Sequence, residues 1–154
     1  TVFDHGVDDI DFVSIEYPKQ KSKSFILERK GEEFEIKPFY EITQPINKPL
    51  QQANIEAFLM GFKHQIAEGY ENKNSKREEF LATIPFAIIT LLDKSDTEIS
   101  ATLYPTGSLS VQGNLKTDEI ERYLATVKRG EFEDFMMVQD RNYKRILWGY
   151  DSFF

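Results

Sequence analysis

The chain has no cysteine. That absence excludes disulfides, thiolate metal sites and a cysteine nucleophile, but it leaves the compartment open, since exported domains also fold without bridges. Histidine is scarce as well, with His5 and His64 the only two, so a catalytic pairing or metal site would have to be assembled from distant segments. Basic charge is in deficit: 19 Lys and Arg against 26 Asp and Glu give a net charge of -7. This argues against nucleic acid, whose phosphates require clustered cations. No apolar run is long enough to span a membrane, for the greasiest stretch, Ile84 to Leu92, is about half of what a helix needs.

Catalytic patterns are missing too. Gly107 and Gly113 stand too far apart for a phosphate-binding loop, and Lys116 lacks the preceding glycine. Ser108 and Ser110 lack the glycines of a nucleophile elbow. Glu78 and Glu79 are adjacent, so on a helix they diverge by about 100° and read as first-turn carboxylates rather than an acid/base pair. No catalytic residue, metal ligand or cofactor site is expected, and the expected class is a non-enzyme. Asp4, Asp8, Asp9 and Asp11 lack the central glycine of a calcium loop, so residues 1–9 are expected to be an acidic, solvated lead-in.

What is present fits one α+β domain over residues 10–154, a length that removes roughly 70% of its unfolded surface from water. Val13, Ile15 and Tyr17 alternate in a strand from Ile10 to Tyr17 that ends at Pro18. Phe25 with Leu27, then Phe34 with Ile36, alternate across Lys30-Gly31, giving a three-strand meander. Pro38, Pro45 and Pro49 interrupt further pairing. The period then changes to about 3.6 through Ile55, Leu59, Phe62, Ile66 and Tyr70, which predicts one long helix over Leu50–Ala67, with Gly61 permitting close packing on the sheet.

Ser75 and Glu78 have capping-box spacing for a short helix before Pro85. Phe86 to Leu92 reads as a buried central strand, and Glu98 to Tyr104 as its neighbour with Ile99, Ala101 and Leu103 inward. A loop over Thr106–Thr117 can carry a short edge strand at Leu109–Gln112. Glu119–Val127 and Asp134–Val138 read as a hairpin across Lys128-Arg129-Gly130, and Asp140 as the cap of a short C-terminal helix burying Tyr143, Ile146, Leu147 and Tyr150. The sheet is therefore mostly antiparallel. Strands followed by a helix occur twice, a pseudo-repeat that fits either duplication or the economy of covering a sheet with helices.

The aromatic closing segment has two readings. Either its rings complete the core, each contributing on the order of 2 to 3 kcal/mol, or Trp148, Phe153 and Phe154 form a partner-binding patch rimmed by Arg141, Lys144 and Arg145.

Three stretches carry a family resemblance: IDFVSIEYPKQKSKSFILERKGEEFEIK (10–37), IPFAIITLLDKSDTEISATLYP (84–105) and RYLATVKRGEFEDFMMVQDRNYKRILWGYDSFF (122–154). Together they resemble an uncharacterised bacterial family, domain of unknown function 4340, in its Bacteroidetes forms. The resemblance implies a domain outside the cytoplasm, periplasmic or at the cell surface, tethered by an N-terminal anchor. It also implies company with transport or gliding-motility components, and it carries over no catalytic residues. Thr1 rather than methionine opens the chain, which fits an anchor removed upstream.

The expected function is accordingly a tethered interaction module with a protein partner in the envelope, reaching the membrane only through an anchor not in this chain. The alternative is a small-ligand binding domain using a cleft between sheet and helix, with Tyr17, Tyr40 or Tyr104 as lining residues.

Overall fold

The computed structural model describes residues 1–106 and 122–154. The expected edge strand at Leu109–Gln112, with Gly107, Ser108, Ser110, Gly113 and Lys116, lies outside the described residues. The described residues form an α+β domain built on one sheet of eight antiparallel strands. In chain order these are β1 (Ile10–Glu16), β2 (Phe25–Lys30), β3 (Glu33–Pro38), β4 (Gly69–Tyr70), β5 (Ala87–Asp93), β6 (Glu98–Pro105), β7 (Arg122–Arg129) and β8 (Phe132–Gln139). The helices are α1 (Gln52–Met60), α2 (Arg77–Leu81) and α3 (Asp140–Tyr143).

The strand order β3-β2-β1-β5-β6-β7-β8-β4 joins two meanders at their first strands. Ile15 lies opposite Ile89 and Val13 opposite Leu91, so both halves share one apolar face. Gly31 (φ 67°) and Gly130 (φ 59°) turn the hairpins β2–β3 and β7–β8 as their positions in the sequence predict. Phe25, Leu27, Ala87, Ile89, Leu91, Ala101 and Leu103 are fully buried on the shared face, which α1 and the two terminal segments cover.

Residues 1–9 are not a solvated lead-in. Val2 and Phe3 are fully buried, Phe3 meets Phe62 edge-on at 5.3 Å, and backbone bonds tie Val2 and Phe3 to Gln65 and His5 to Phe62. Arg29 and Arg129 donate to the carbonyls of Val7 and Val2. The apolar pair Val2-Phe3 outweighs the carboxylates that follow it, which stay at the surface.

The same pairing shortens the long helix. Instead of Leu50–Ala67, α1 ends at Met60, because residues 62–65 turn to pair with the N-terminal segment and His64 takes φ 60°. The side chain of buried Gln65 then donates to the Gly61 carbonyl at 2.7 Å, satisfying a helix end that water does not reach. Ile66 and Tyr70, expected on the buried stripe, are exposed. Gly61 does serve close packing, but against the closing segment: a Cβ there would sit 2.7 Å from Ile146 Cγ2 and 2.9 Å from the Arg145 carbonyl.

Two expected caps are absent. Lys76, not Ser75, precedes α2, without a side-chain cap bond. Asp140 is the first residue of α3 rather than its cap, and its carboxylate accepts a 2.8 Å bond from the Tyr123 hydroxyl. Tyr143, Ile146 and Tyr150 are buried and Leu147 half-buried, as the helical spacing predicts, although α3 itself stops at Tyr143.

Candidate functional site

The closing segment decides where a site can lie. Tyr150–Phe153 forms a 3-10 turn, whose three-residue period puts Tyr150 and Phe153 on one side, facing the core. Phe153 is fully buried between Phe25 at 5.0 Å, Phe58 at 5.2 Å and Trp148 at 5.2 Å. Its carbonyl accepts from Gln51 N–H, and the Tyr150 hydroxyl accepts from Ile46 N–H. Phe154 is half-buried, edge-on to Tyr150 at 5.4 Å. The expected patch of Trp148, Phe153 and Phe154 is therefore not a continuous surface, because its central member belongs to the core. Arg141, Lys144 and Arg145 are exposed.

Trp148 has a different position. Its half-buried ring leans on Phe58 at 5.5 Å and on Phe153, and it lines a cleft of about 450 Å³ with Tyr17, Gln20, Lys23, Phe86, Leu147, Gly149 and Ser152. Three segments meet here: the β1–β2 turn, the entry to β5, and the stretch after α3. The cleft lies between the sheet end and this last stretch, not between sheet and helix. Of the three tyrosines expected to line it, only Tyr17 does. Tyr40 donates its hydroxyl to Glu16, and desolvation followed by that carboxylate raises its pKa to about 12. Tyr104 is buried within β6.

The cleft is held from behind. Tyr17 donates its hydroxyl to the Trp148 carbonyl at 2.6 Å, and its burial keeps the phenol protonated well above the usual range. Phe86 stacks on buried Tyr123 at 5.7 Å and meets Tyr17 edge-on at 5.8 Å. Buried Ser24 accepts a 2.7 Å bond from Tyr17 N–H, closing the turn that carries Gln20 and Lys23. Gly149 lets that turn come near: a Cβ there would meet Lys23 Cδ at 2.9 Å and Asp151 Oδ1 at 3.0 Å. The Lys23 ammonium lies 3.7 Å from the Asp151 carboxylate, and the Ser152 hydroxyl accepts a 3.2 Å bond from Gly149 N–H.

Periodicity singles out none of Gln20, Lys23, Phe86 or Ser152. Their one trace in the sequence is Gly149, a small residue inside an aromatic segment.

Both histidines find carboxylates. His5 Nε2 lies 3.3 Å from Asp93 Oδ2, with both side chains largely buried. Burial alone would raise the Asp93 pKa, but the N–H groups of Thr97 and Ser95, helped by His5, hold it below the ordinary value. His64 Nδ1 lies 3.4 Å from Asp4, but its side chain is 77% exposed. Neither pair lines the cleft. Glu78 and Glu79 are exposed on α2. Among the described residues no group of three or more metal-ligating side chains comes together, and no helix is long and apolar enough to cross a membrane.

No family model, curated protein or solved structure matches the chain.

Proposed function

We propose that this chain is a non-catalytic binding module whose recognition site is the cleft framed by Tyr17, Phe86 and Trp148. The observation that carries this reading is the backing of its aromatic walls. Phe58 and Phe153 brace Trp148, while Tyr123 braces Phe86, so both walls are in place before a ligand arrives. Rings ordered in advance spare a ligand the entropy of ordering them. The cleft also falls in the size range of small-molecule sites, about 300–1,000 Å³, with a few polar groups beside an apolar lining.

Trp148 is the chain's one tryptophan, so its emission reports the cleft directly. A screen of small polar and aromatic fragments, followed by Trp148 fluorescence and by amide shifts, tests the reading. Binders are expected to perturb Trp148, Gly149 and Ser152 together and to weaken in Phe86→Ala. Binders that perturb only other surfaces would refute it.

A second reading keeps the site and changes its occupant to a side chain of an envelope protein partner, with the domain tethered outside the cytoplasm. The partial exposure of Trp148 and Phe154, the two tail rings left near the surface, supports it. Comparing partners captured from native envelope by the intact domain and by Trp148→Ala with Phe154→Ala tests it, and identical partners would remove it.

A further inference from the structure

The chemistry of the cleft also narrows the ligand, an inference that rests on the binding reading above. Its walls, Trp148 and Phe86, present aromatic ring surface, whose π-face is electronegative and attracts weakly positive C–H groups. Its polar groups are of mixed character. Gln20 offers an amide that both donates and accepts. Ser152 Oγ already accepts from Gly149 N–H, which leaves its own proton free to donate. The Lys23 ammonium faces the carboxylate of Asp151, so this edge carries no net charge.

Each ligand class meets these features differently. An anion must compete with Asp151 for Lys23, and a cation meets Lys23 itself. A wholly apolar ligand leaves the Gln20 amide and the Ser152 hydroxyl proton unanswered, at a cost in each desolvated group. A neutral ring with C–H groups on its faces and hydroxyls around its edge satisfies both parts. Its faces lie on the aromatic walls, and its hydroxyls donate to and accept from the amide, the hydroxyl and the ion pair.

We infer that the Tyr17–Phe86–Trp148 cleft is a saccharide-binding site, taking one or two neutral pyranose units. Bound sugar lies against Trp148 and Phe86, with its hydroxyls toward Gln20, Ser152 and the Lys23–Asp151 pair. Tyr17 is a positioning residue: its hydroxyl is committed to the Trp148 carbonyl, and it fixes the backbone that carries the indole.

The test uses Trp148 emission of the full chain titrated with cellobiose, maltose and chitobiose, with sodium benzoate and indole-3-acetate as planar anions. At least one disaccharide is expected to give a saturable shift, at about 1 mM or tighter, that sodium chloride leaves unchanged, since a neutral ligand is not screened. Gln20→Ala and Ser152→Ala, both at exposed positions, are each expected to weaken it about threefold to tenfold with an unchanged far-UV spectrum. Phe86→Ala is expected to abolish it, and proton shifts of the sugar ring upfield would place that ring on the aromatic faces.

A sugar shift that survives all three substitutions would overturn the site. Saturable binding of the anions alone, weakened by salt, would overturn the ligand class while leaving the binding reading intact. Silence toward sugars, anions and fragments alike would overturn both.

Discussion

Truncating Phe153 to alanine separates core closure from interface. Its ring is fully buried among Phe25, Phe58 and Trp148, at centroid distances of 5.0 to 5.2 Å. Removing a buried phenylalanine ring costs about 3–5 kcal/mol, through lost transfer energy and the cavity left behind. Aromatic pairs add about 0.5–1.5 kcal/mol each beyond their area, and relaxation of the three surrounding rings returns some of the loss. The expected destabilisation is about 4 kcal/mol, a large share of the roughly 5–15 kcal/mol that holds a domain together. With a urea dependence of about 2 kcal/mol per molar, the unfolding midpoint should fall by about 2 M.

The assay is urea unfolding followed in parallel by far-UV circular dichroism and Trp148 emission. Because Phe153 packs against the indole, the folded-state emission of Phe153→Ala is expected to move to the red. Phe154→Ala, which removes one edge-on contact to Tyr150 from a half-buried site, is expected to cost only about 1 kcal/mol. A Phe153→Ala loss under about 1 kcal/mol would refute the core assignment, because surface rings contribute at that level.

Gly61→Ala, just past the end of α1 with a backbone that alanine also adopts, gains about 0.4–1 kcal/mol from a less flexible unfolded chain but drives a methyl to 2.7 Å from Ile146 Cγ2 and 2.9 Å from the Arg145 carbonyl. We expect net destabilisation of about 1–3 kcal/mol by thermal unfolding, and a stabilised variant would show that the closing segment packs elsewhere. For Asp93, a folded pKa below the unfolded value means stability present above about pH 4 and lost as pH falls through the folded pKa. Asp93→Asn should flatten that acid limb in stability measurements across pH 2–6, and an unchanged slope would show that the bonds from Thr97, Ser95 and His5 do not hold the Asp93 carboxylate in its charged form. Burial raises the phenols of Tyr17, Tyr123 and Tyr143, so their stabilisation is full below about pH 10 and fades as pH climbs toward the folded values. Absorbance at 295 nm should show them ionising together with unfolding; earlier independent titration would contradict their burial.

The strands were largely legible because their signal is local. The continuous apolar run of β5 marks a central strand, the residues that alternate along β6 are those that pair with its buried side chains, and Gly31 and Gly130 stand where the hairpins need positive φ. The ends of elements were less legible. Nothing near Gln65 reports that Phe3 will pair with its backbone and end α1 early. In the tail the helical spacing pointed to Tyr143, Ile146, Leu147 and Tyr150 but left Phe153 open between core and patch, and a separate 3-10 turn after α3 places it inward beside Tyr150.

The candidate site was hardly legible at all. Tyr17 and Trp148 stood out as aromatic residues, but Gln20, Lys23, Phe86 and Ser152 belong to segments far apart in the chain and meet only when the sheet closes.

By itself the sequence determined the strand pattern, the antiparallel class and the pool of apolar side chains available to the core. These follow from alternation and turn chemistry, which act between residues a few positions apart. The tertiary structure alone decided which aromatic rings close the core and which frame a cleft, and whether the acidic beginning floats or packs. Those outcomes depend on competition among side chains for one interior. Phe153 and Val2-Phe3 won places there, while Trp148 was left at its edge.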